Sequence, residues 1–124
     1  MSYHPLNLAL RFILELSALA SLAYWGWSSF EGYTRFIMTV ISPLTFMIFW
    51  GVFAVRGDKS RSGKTVVPTP GYIRLALELI LFGLSILVLY DTGKETLSLI
   101  FLSGVILHYL LSPERIMWLL KRKS

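Results

Sequence analysis

Two stretches of this chain place an arginine and a glutamate four residues apart within apolar sequence. The first pair is Arg11 and Glu15, and the second is Arg74 and Glu78. The surrounding segments, residues 11–16 and 74–79, are identical at four of six positions. Such side chains can form ion pairs, carry protons or hold a charged ligand. Because one ionisable side chain at mid-membrane costs roughly 2.5–3.5 kcal/mol on insertion scales, repeating the pattern indicates a structural or functional use.

Helical geometry puts the two members of each pair on one face, because residues four apart are neighbours on an α-helix. An arginine can extend towards the membrane surface, whereas a glutamate is too short to do so. Each glutamate should therefore be paired, protonated or facing a water-filled cavity. If the two helices pack together, the four side chains meet at one depth, where cross-helix bidentate pairs become possible.

Three roles are open for this four-charge cluster. It can be an ion-pair clasp that fixes helix packing or holds two subunits in register. It can be a proton- or ion-coupled transport site that uses Glu15 and Glu78. It can also be the surface that meets a partner protein. Two further polar residues in apolar segments are candidates to line a cavity near the charges, Ser85 and His108.

Composition places the chain among membrane proteins. Of its 124 residues 55% are hydrophobic and 15% are charged, against roughly 25% charged in soluble domains. The mean hydropathy is +0.64. With no cysteine there is neither a disulfide framework nor a thiolate metal site. Since His108 has no second His or Cys nearby, and no nucleophile-plus-base arrangement is visible, we expect no metal, no cofactor and no enzyme activity.

Four segments approach the roughly 20 apolar residues that a membrane helix needs, at residues 6–27, 33–55, 72–90 and 96–111. Short turns at 28–32 and 91–95 predict helical hairpins. The sequence thus predicts an all-α, polytopic membrane protein with four transmembrane helices in two antiparallel hairpins. The single domain, 1–124, would comprise hairpin 6–55, basic loop 56–70, hairpin 71–111 and basic tail 112–124. A cleavable signal peptide is the competing interpretation of the first segment, and Glu15 in its apolar region disfavours it.

Proline positions predict two local features. Pro43 lies midway along the second segment and should kink that helix. The Ser-Pro-Glu triplet at 112–114 resembles an N-cap, a first-turn proline and an early acid. It predicts a separate short amphipathic tail helix, unless the fourth helix continues through Pro113. The membrane-facing residues of that tail helix would be Ile116, Trp118 and Leu119.

The basic residues are unevenly distributed between the connections. The central loop and the C-terminal tail hold eight lysines and arginines, whereas the other two connections and the residues flanking them hold only Arg35 and Lys94. The positive-inside rule then predicts an inner-membrane protein with both termini cytoplasmic. The net charge of +5 is therefore a topology signal and an attraction for anionic lipid, with no nucleic-acid motif beside it. The residues expected to contact lipid headgroups are Arg56, Lys59, Arg61, Lys64, Lys121, Arg122 and Lys123.

Four short helices offer little interior around a charged cluster, so we expect a homo-oligomer or a partner membrane protein. The role that fits best is a structural or accessory membrane component organised by the Arg–Glu pairs. The alternative is a small proton-coupled transporter that uses Glu15 and Glu78.

A set of short motifs resembles the YrdB-like family of small bacterial membrane proteins. The resemblance runs from about residue 7 to 110 and rests on the combination of its parts. The family has no assigned activity, so the resemblance implies a four-helix membrane fold and nothing about chemistry. The motifs are NLALRFILEL at 7–16, YWG at 24–26, PL at 43–44, WGVF at 50–53, RLALEL at 74–79 and FG at 82–83.

The chain also resembles the small multidrug resistance transporters in its length, its four predicted helices and a first-helix glutamate. In those transporters that glutamate couples export to protons, and Glu15 would correspond to it. Residues 31–35 are similar to their first loop. Those proteins lack an arginine four residues before the glutamate, and their third helix has a glycine-rich pattern absent here. Their weak charge bias also differs from the strong bias of this chain.

Overall fold

The computed structural model of the chain describes residues 4–55 and 67–121 and is almost entirely helical. Two-residue strands, β1 (Phe53–Ala54) and β2 (Val67–Pro68), pair in parallel between the second and third helices. Because the chain turns into β1, the second helix ends three residues earlier than predicted. The all-α prediction is confirmed. The five helices are α1 (Pro5–Ser29), α2 (Gly32–Val52), α3 (Gly71–Asp91), α4 (Glu95–Leu110) and α5 (Pro113–Lys121).

Three of these helices, α1, α2 and α3, are long and apolar enough to cross a membrane by length and composition. Helices α4 and α5 reach that standard only as a pair, and they are bent by 72° at the break between them. Residues 4–55 and 67–121 therefore contain three to four candidate membrane-spanning helices. The alternative that the fourth helix runs straight through Pro113 is wrong. Pro113 instead begins α5, as expected for a proline in a first turn.

The described helices alternate in direction. Ser112, just beyond α4, contacts Asn7 near the start of α1. Arg74, near the start of α3, contacts the carbonyl oxygens of Trp50 and Phe53 at the end of α2. Hence the starts of α1 and α3 lie at the same end of the bundle as the ends of α2 and α4. This arrangement brings the two Arg–Glu segments to one depth.

Short turns at the opposite end reverse the chain between α1 and α2 and between α3 and α4. Gly32 has φ of +63° and Gly93 has φ of +80°, in the left-handed region that glycine enters without a steric penalty. Gly26 serves close packing instead: a Cβ there would lie 2.5 Å from the carbonyl carbon of Met38. The backbones of α1 and α2 therefore pack closely at Gly26 and Met38.

An apolar core fills the bundle between α1, α2, α3 and α4. Phe82 is central to it, with ring centroids 5.1 Å from Trp50 and 5.9 Å from Phe101. The core packs next to the charged side chains through Trp50, whose ring lies against both Phe82 and Arg11. Its buried members are Leu14, Ala18, Phe46, Leu81, Phe82, Leu89, Phe101 and Val105.

Pro43 lies inside α2, which runs as one helix from Gly32 to Val52. The hydroxyl of the neighbouring Ser42 is buried and has no hydrogen-bond partner. Proline removes one backbone donor from this turn, so α2 has locally weaker backbone hydrogen bonding. The kink at Pro43 stays a prediction.

Helix α5 folds back onto the start of α3. Leu119 is fully buried, and its backbone lies so close to Gly71 that a Cβ on Gly71 would overlap it. The prediction that Leu119 faces the membrane is therefore wrong, because this side chain is covered by the bundle. Arg115, one helical turn earlier, is buried on the same face.

Candidate functional site

Glu78 is the centre of a buried polar cluster. Its side chain has no solvent exposure, and both carboxylate oxygens accept several hydrogen bonds. Oε1 accepts from Arg11 Nη1 at 3.3 Å, Arg115 Nη1 at 2.9 Å and the Tyr109 hydroxyl at 2.8 Å. Oε2 accepts from Arg11 Nη2 at 2.9 Å, Arg74 Nε at 2.8 Å and Arg115 Nη2 at 2.7 Å. We call Glu78, Arg11, Arg74, Arg115 and Tyr109 the Glu78 cluster.

The Glu78 cluster joins four helices through one carboxylate. Arg11 comes from α1, Arg74 and Glu78 from α3, Tyr109 from α4 and Arg115 from α5. Arg11 and Arg115 each donate through both terminal nitrogens, the bidentate geometry that the planar guanidinium favours. A carboxylate has about four lone-pair directions, so six donors saturate it.

Helix α2 joins the same site through Trp50. The guanidinium carbons of Arg11 and Arg74 lie 4.9 Å and 4.7 Å from the centroid of its ring, within the range of cation–π attraction. Arg74 Nη1 also donates to the carbonyl oxygens of Trp50 at 2.5 Å and Phe53 at 2.6 Å. Trp50 lies in the last turn of α2 and Phe53 is its C-cap residue, where carbonyl oxygens lack intrahelical donors, so Arg74 also caps α2.

Glu15 lies at the edge of this site. Its side chain keeps 24% exposure and accepts a hydrogen bond from Trp50 Nε1 at 2.9 Å. Arg11 Nε lies 3.3 Å from Glu15 Oε1, close enough for an ion pair but without hydrogen-bond geometry. The two glutamates of the repeated pattern therefore have different environments.

A neutral hydrogen-bonded group extends the site towards the start of α1. Asn7 Nδ2 donates to the Ser112 hydroxyl at 2.8 Å, and that hydroxyl donates to the carbonyl of His108 at 2.7 Å. His108 Nδ1 lies 3.0 Å from Asn7 Oδ1, which can only accept, so Nδ1 carries the proton. Nε2 is then left as an acceptor 3.4 Å from Arg11 Nη1.

The predicted site residues are thus only partly united. The structure brings Arg11, Arg74 and Glu78 into direct contact, with Glu15 beside them and His108 against Arg11. Ser85 lies apart: it is buried in α3 and donates to the Leu81 carbonyl at 3.1 Å.

Sequence reasoning missed Arg115, Tyr109, Trp50 and Asn7 as members of the site. One signal for Arg115 was available, because the capping triplet sets the start of α5 and puts Arg115 and Leu119 one turn apart on one face.

Of the predicted headgroup contacts, Lys121 is an exposed residue at the end of α5. The others lie outside the described residues: Arg56, Lys59, Arg61, Lys64, Arg122 and Lys123.

The site offers little room for a bound ligand at Glu78. Both oxygens of this carboxylate face arginine or tyrosine donors, and the Glu78 side chain has no solvent exposure. Among residues 4–55 and 67–121, no group of three His, Cys, Asp or Glu side chains is placed to hold a metal ion. The arrangement is chemically suited to holding helices together.

Two apolar clefts of about 480 Å³ each open between helices, and Glu78 lines neither of them. One lies between α1 and α4, and the other between α3 and α4. Tyr109 lines the second cleft, whereas Ser85 and His108 line neither. That Ser85 and His108 line a cavity therefore stays a prediction, and neither of these two clefts corresponds to that cavity.

Comparison with known proteins gives a family without an assigned activity. The family model described as "Protein of unknown function (DUF2568)" matches residues 9–106. The "Uncharacterized protein YrdB" of Bacillus subtilis (strain 168) is 47% identical over 116 residues, which cover 94% of each chain. No solved structure matches. The matched range contains Arg11, Glu15, Arg74 and Glu78, and Arg115 lies beyond its end.

Proposed function

Because the chain belongs to the DUF2568 family of proteins of unknown function, we propose a role for it from its own residues. It is a four-span membrane protein with a structural or accessory, non-enzymatic role. The Glu78 cluster is an ion-pair clasp that locks the helices at the cytoplasmic end of the bundle. The second copy or partner membrane protein expected from the sequence would meet the outer surface of this locked bundle.

The saturation of Glu78 is the observation that carries this proposal. A carboxylate that carries protons or binds a cation must exchange its partners with water or ligand. Glu78 accepts from three arginines and one tyrosine in a fully buried position. Releasing Glu78 from these donors would break the contacts that join α1, α3, α4 and α5. Glu78 is therefore suited to a fixed structural role.

The exposed apolar surface supports placement in a membrane. Only a small part of α2 is covered by the rest of the chain, and its outer side would be an aggregation hazard in water. A lipid environment or another membrane protein covers such a surface naturally. Large exposed residues on this helix include Phe36, Ile37, Val40, Leu44, Met47 and Ile48.

The proposed four-span topology counts α4 as a short fourth span. Helix α4 has 16 residues, or about 24 Å at 1.5 Å per residue, which is shorter than the roughly 30 Å hydrocarbon core. The following α5 then turns through 72° and returns to the bundle. With the basic loop and tail in the cytoplasm, the clasp lies on the cytoplasmic side.

Single-cysteine labelling tests the four-span topology, because the native sequence contains no cysteine. We expect Thr92→Cys to react with a membrane-impermeant maleimide in intact spheroplasts. Lys121→Cys should react only after the membrane is opened. Labelling of both variants from the same side would contradict an arrangement in which α4 crosses the membrane.

A second candidate function is proton-coupled transport through Glu15 alone. The observation in its favour is that this glutamate keeps 24% side-chain exposure, whereas Glu78 has none. Trp50 and Arg11 both contact Oε1 of Glu15, so a proton could reach the remaining face of this carboxylate. In this alternative Glu78 is the scaffold and Glu15 the coupling group.

Glu15→Gln separates the two candidates. If Glu15 only supports the clasp, the variant should lose about 1 kcal/mol of unfolding free energy, because one partly exposed charge-assisted contact weakens. Proteoliposomes under a pH gradient should then take up a cationic dye, ethidium, no faster with the native protein than with the variant. A pH-driven uptake by the native protein that Glu15→Gln abolishes, with Glu31→Gln as the exposed control, would favour the transporter.

A further inference from the structure

The cleft between α1 and α4 has the form of a lipid site. Its wall is almost wholly apolar and runs along α1 from Leu10 to Tyr24, a rise of about 21 Å. That length exceeds half of a roughly 30 Å hydrocarbon core, so the cleft can hold an acyl chain from one leaflet. Its end at Tyr24 and Lys94 is far from the Glu78 cluster, at the opposite end of the bundle.

A polar recess continues this cleft at the α3–α4 turn. The recess has a volume of about 340 Å³ and shares Lys94 and Leu97 with the apolar cleft. Lys94 Nζ lies 5.6 Å from the centroid of the Tyr24 ring, over the mouth of the cleft. An apolar channel and a charged recess therefore form one continuous amphipathic surface.

The recess offers groups of both signs. Lys94 supplies an ammonium group, and Glu95 supplies a carboxylate. The first N–H groups of α4 also lie here, and the Lys94 side chain makes no capping hydrogen bond to them. Phosphate oxygens are suited to such free donors at a helix start, while Glu95 is suited to a positive group.

We propose that this surface binds a zwitterionic aminophospholipid, phosphatidylethanolamine. One acyl chain lies in the α1–α4 cleft, the phosphodiester meets Lys94 and the start of α4, and the ammonium meets Glu95. The α3–α4 cleft has a similar volume but no charged residue in its lining, so it lacks the headgroup site. The inference rests on the membrane location proposed above.

Native mass spectrometry of the full-length protein tests this assignment. Equal amounts of phosphatidylethanolamine, phosphatidylglycerol and phosphatidylcholine with identical acyl chains are added to protein in detergent. We expect phosphatidylethanolamine to be retained about fivefold over phosphatidylglycerol, which lacks the positive group that would meet Glu95. It should also be retained over phosphatidylcholine, whose trimethylammonium has no N–H to donate to that carboxylate. Equal retention of the three lipids, or preference for phosphatidylglycerol, would overturn the proposal.

Matched variants assign the two parts of the site. Lys94→Gln should lower phosphatidylethanolamine retention about fivefold, whereas Arg35→Gln, at the same end of the bundle but outside both linings, should leave it unchanged. Ala20 is exposed and lines the cleft, so Ala20→Trp should block the acyl chain. Ala9 is exposed on the same helix outside the cleft, so Ala9→Trp is its control. Unaltered retention in both Lys94→Gln and Ala20→Trp would refute the site.

Alkaline extraction of cell membranes distinguishes failure of the lipid-site proposal from failure of the proposed function. Protein that is released by alkali is not an integral membrane protein, which would remove both proposals. Protein that stays in the membrane but shows no lipid preference removes only the lipid site.

Discussion

Replacing Glu78 with glutamine is expected to remove about 3–5 kcal/mol of unfolding free energy, the range found when one partner of a buried ion pair is lost. The amide has nearly the same shape, but it carries no charge and turns an N–H₂ group towards arginine donors. Three buried guanidinium groups then lose their shared counter-ion. Because whole domains are stable by only about 5–15 kcal/mol, we expect a large drop in the thermal midpoint and in folded yield.

Unfolding in mixed micelles, followed by circular dichroism, measures this loss. Glu15→Gln provides the matched control, because it makes the same chemical change at the partly exposed edge of the site. If the two variants were equally stable, saturation of Glu78 would not be what holds the helices together. Size-exclusion chromatography gives a second reading where the Glu78→Gln protein is too unstable to titrate.

Replacing Gly71 with alanine is expected to displace α5 from its packing position on α3. A Cβ at this position would overlap the backbone of Leu119, and a backbone segment cannot move aside as a flexible side chain does. Overpacking of this kind typically costs about 1–3 kcal/mol. The displacement should also pull Arg115 from Glu78, so proteolysis in the tail should become faster.

Gly83→Ala is the control for this experiment. Gly83 lies inside α3, where an added Cβ meets no atom within 4 Å. Alanine is the better helix former by about 0.8–1.0 kcal/mol, so this variant should be as stable as the native protein or more stable. Equal tail proteolysis in the two glycine variants would contradict close packing of α5 on α3.

Much of the helical framework follows from local sequence. The apolar segments predict α1, α2, α3 and α4 to within a few residues, except where β1 shortens α2. The triplet at 112–114 correctly predicts a break before α5. These features are visible because helix length, turn residues and caps depend on neighbours in sequence.

The composition of the site followed from sequence only in part. The repeated spacing correctly drew attention to Arg11, Arg74 and Glu78, since helices of the same direction put them at one depth. It also suggested that both glutamates were equivalent, which they are not. The difference arises from Arg115 and Tyr109, which come from distant parts of the chain and surround Glu78 alone.

The position of α5 could not be derived from its amphipathic pattern. Leu119 and Arg115 share a face, and a membrane surface accepts such a face as readily as a protein groove does. The deciding feature is a glycine at the start of α3, 48 residues before Leu119, which lets two backbones approach. Only the folded chain brings these positions together.

In the proposed clasp the members of the Glu78 cluster depend on one another for stability, and combining Glu78→Gln with Arg115→Met tests this most directly. Removing Arg115 from the Glu78→Gln protein takes away a buried positive charge that has lost this counter-ion. The double variant should therefore be more stable than Glu78→Gln alone, with a coupling of about 1–3 kcal/mol. Strictly additive losses in the same unfolding measurement would contradict the clasp.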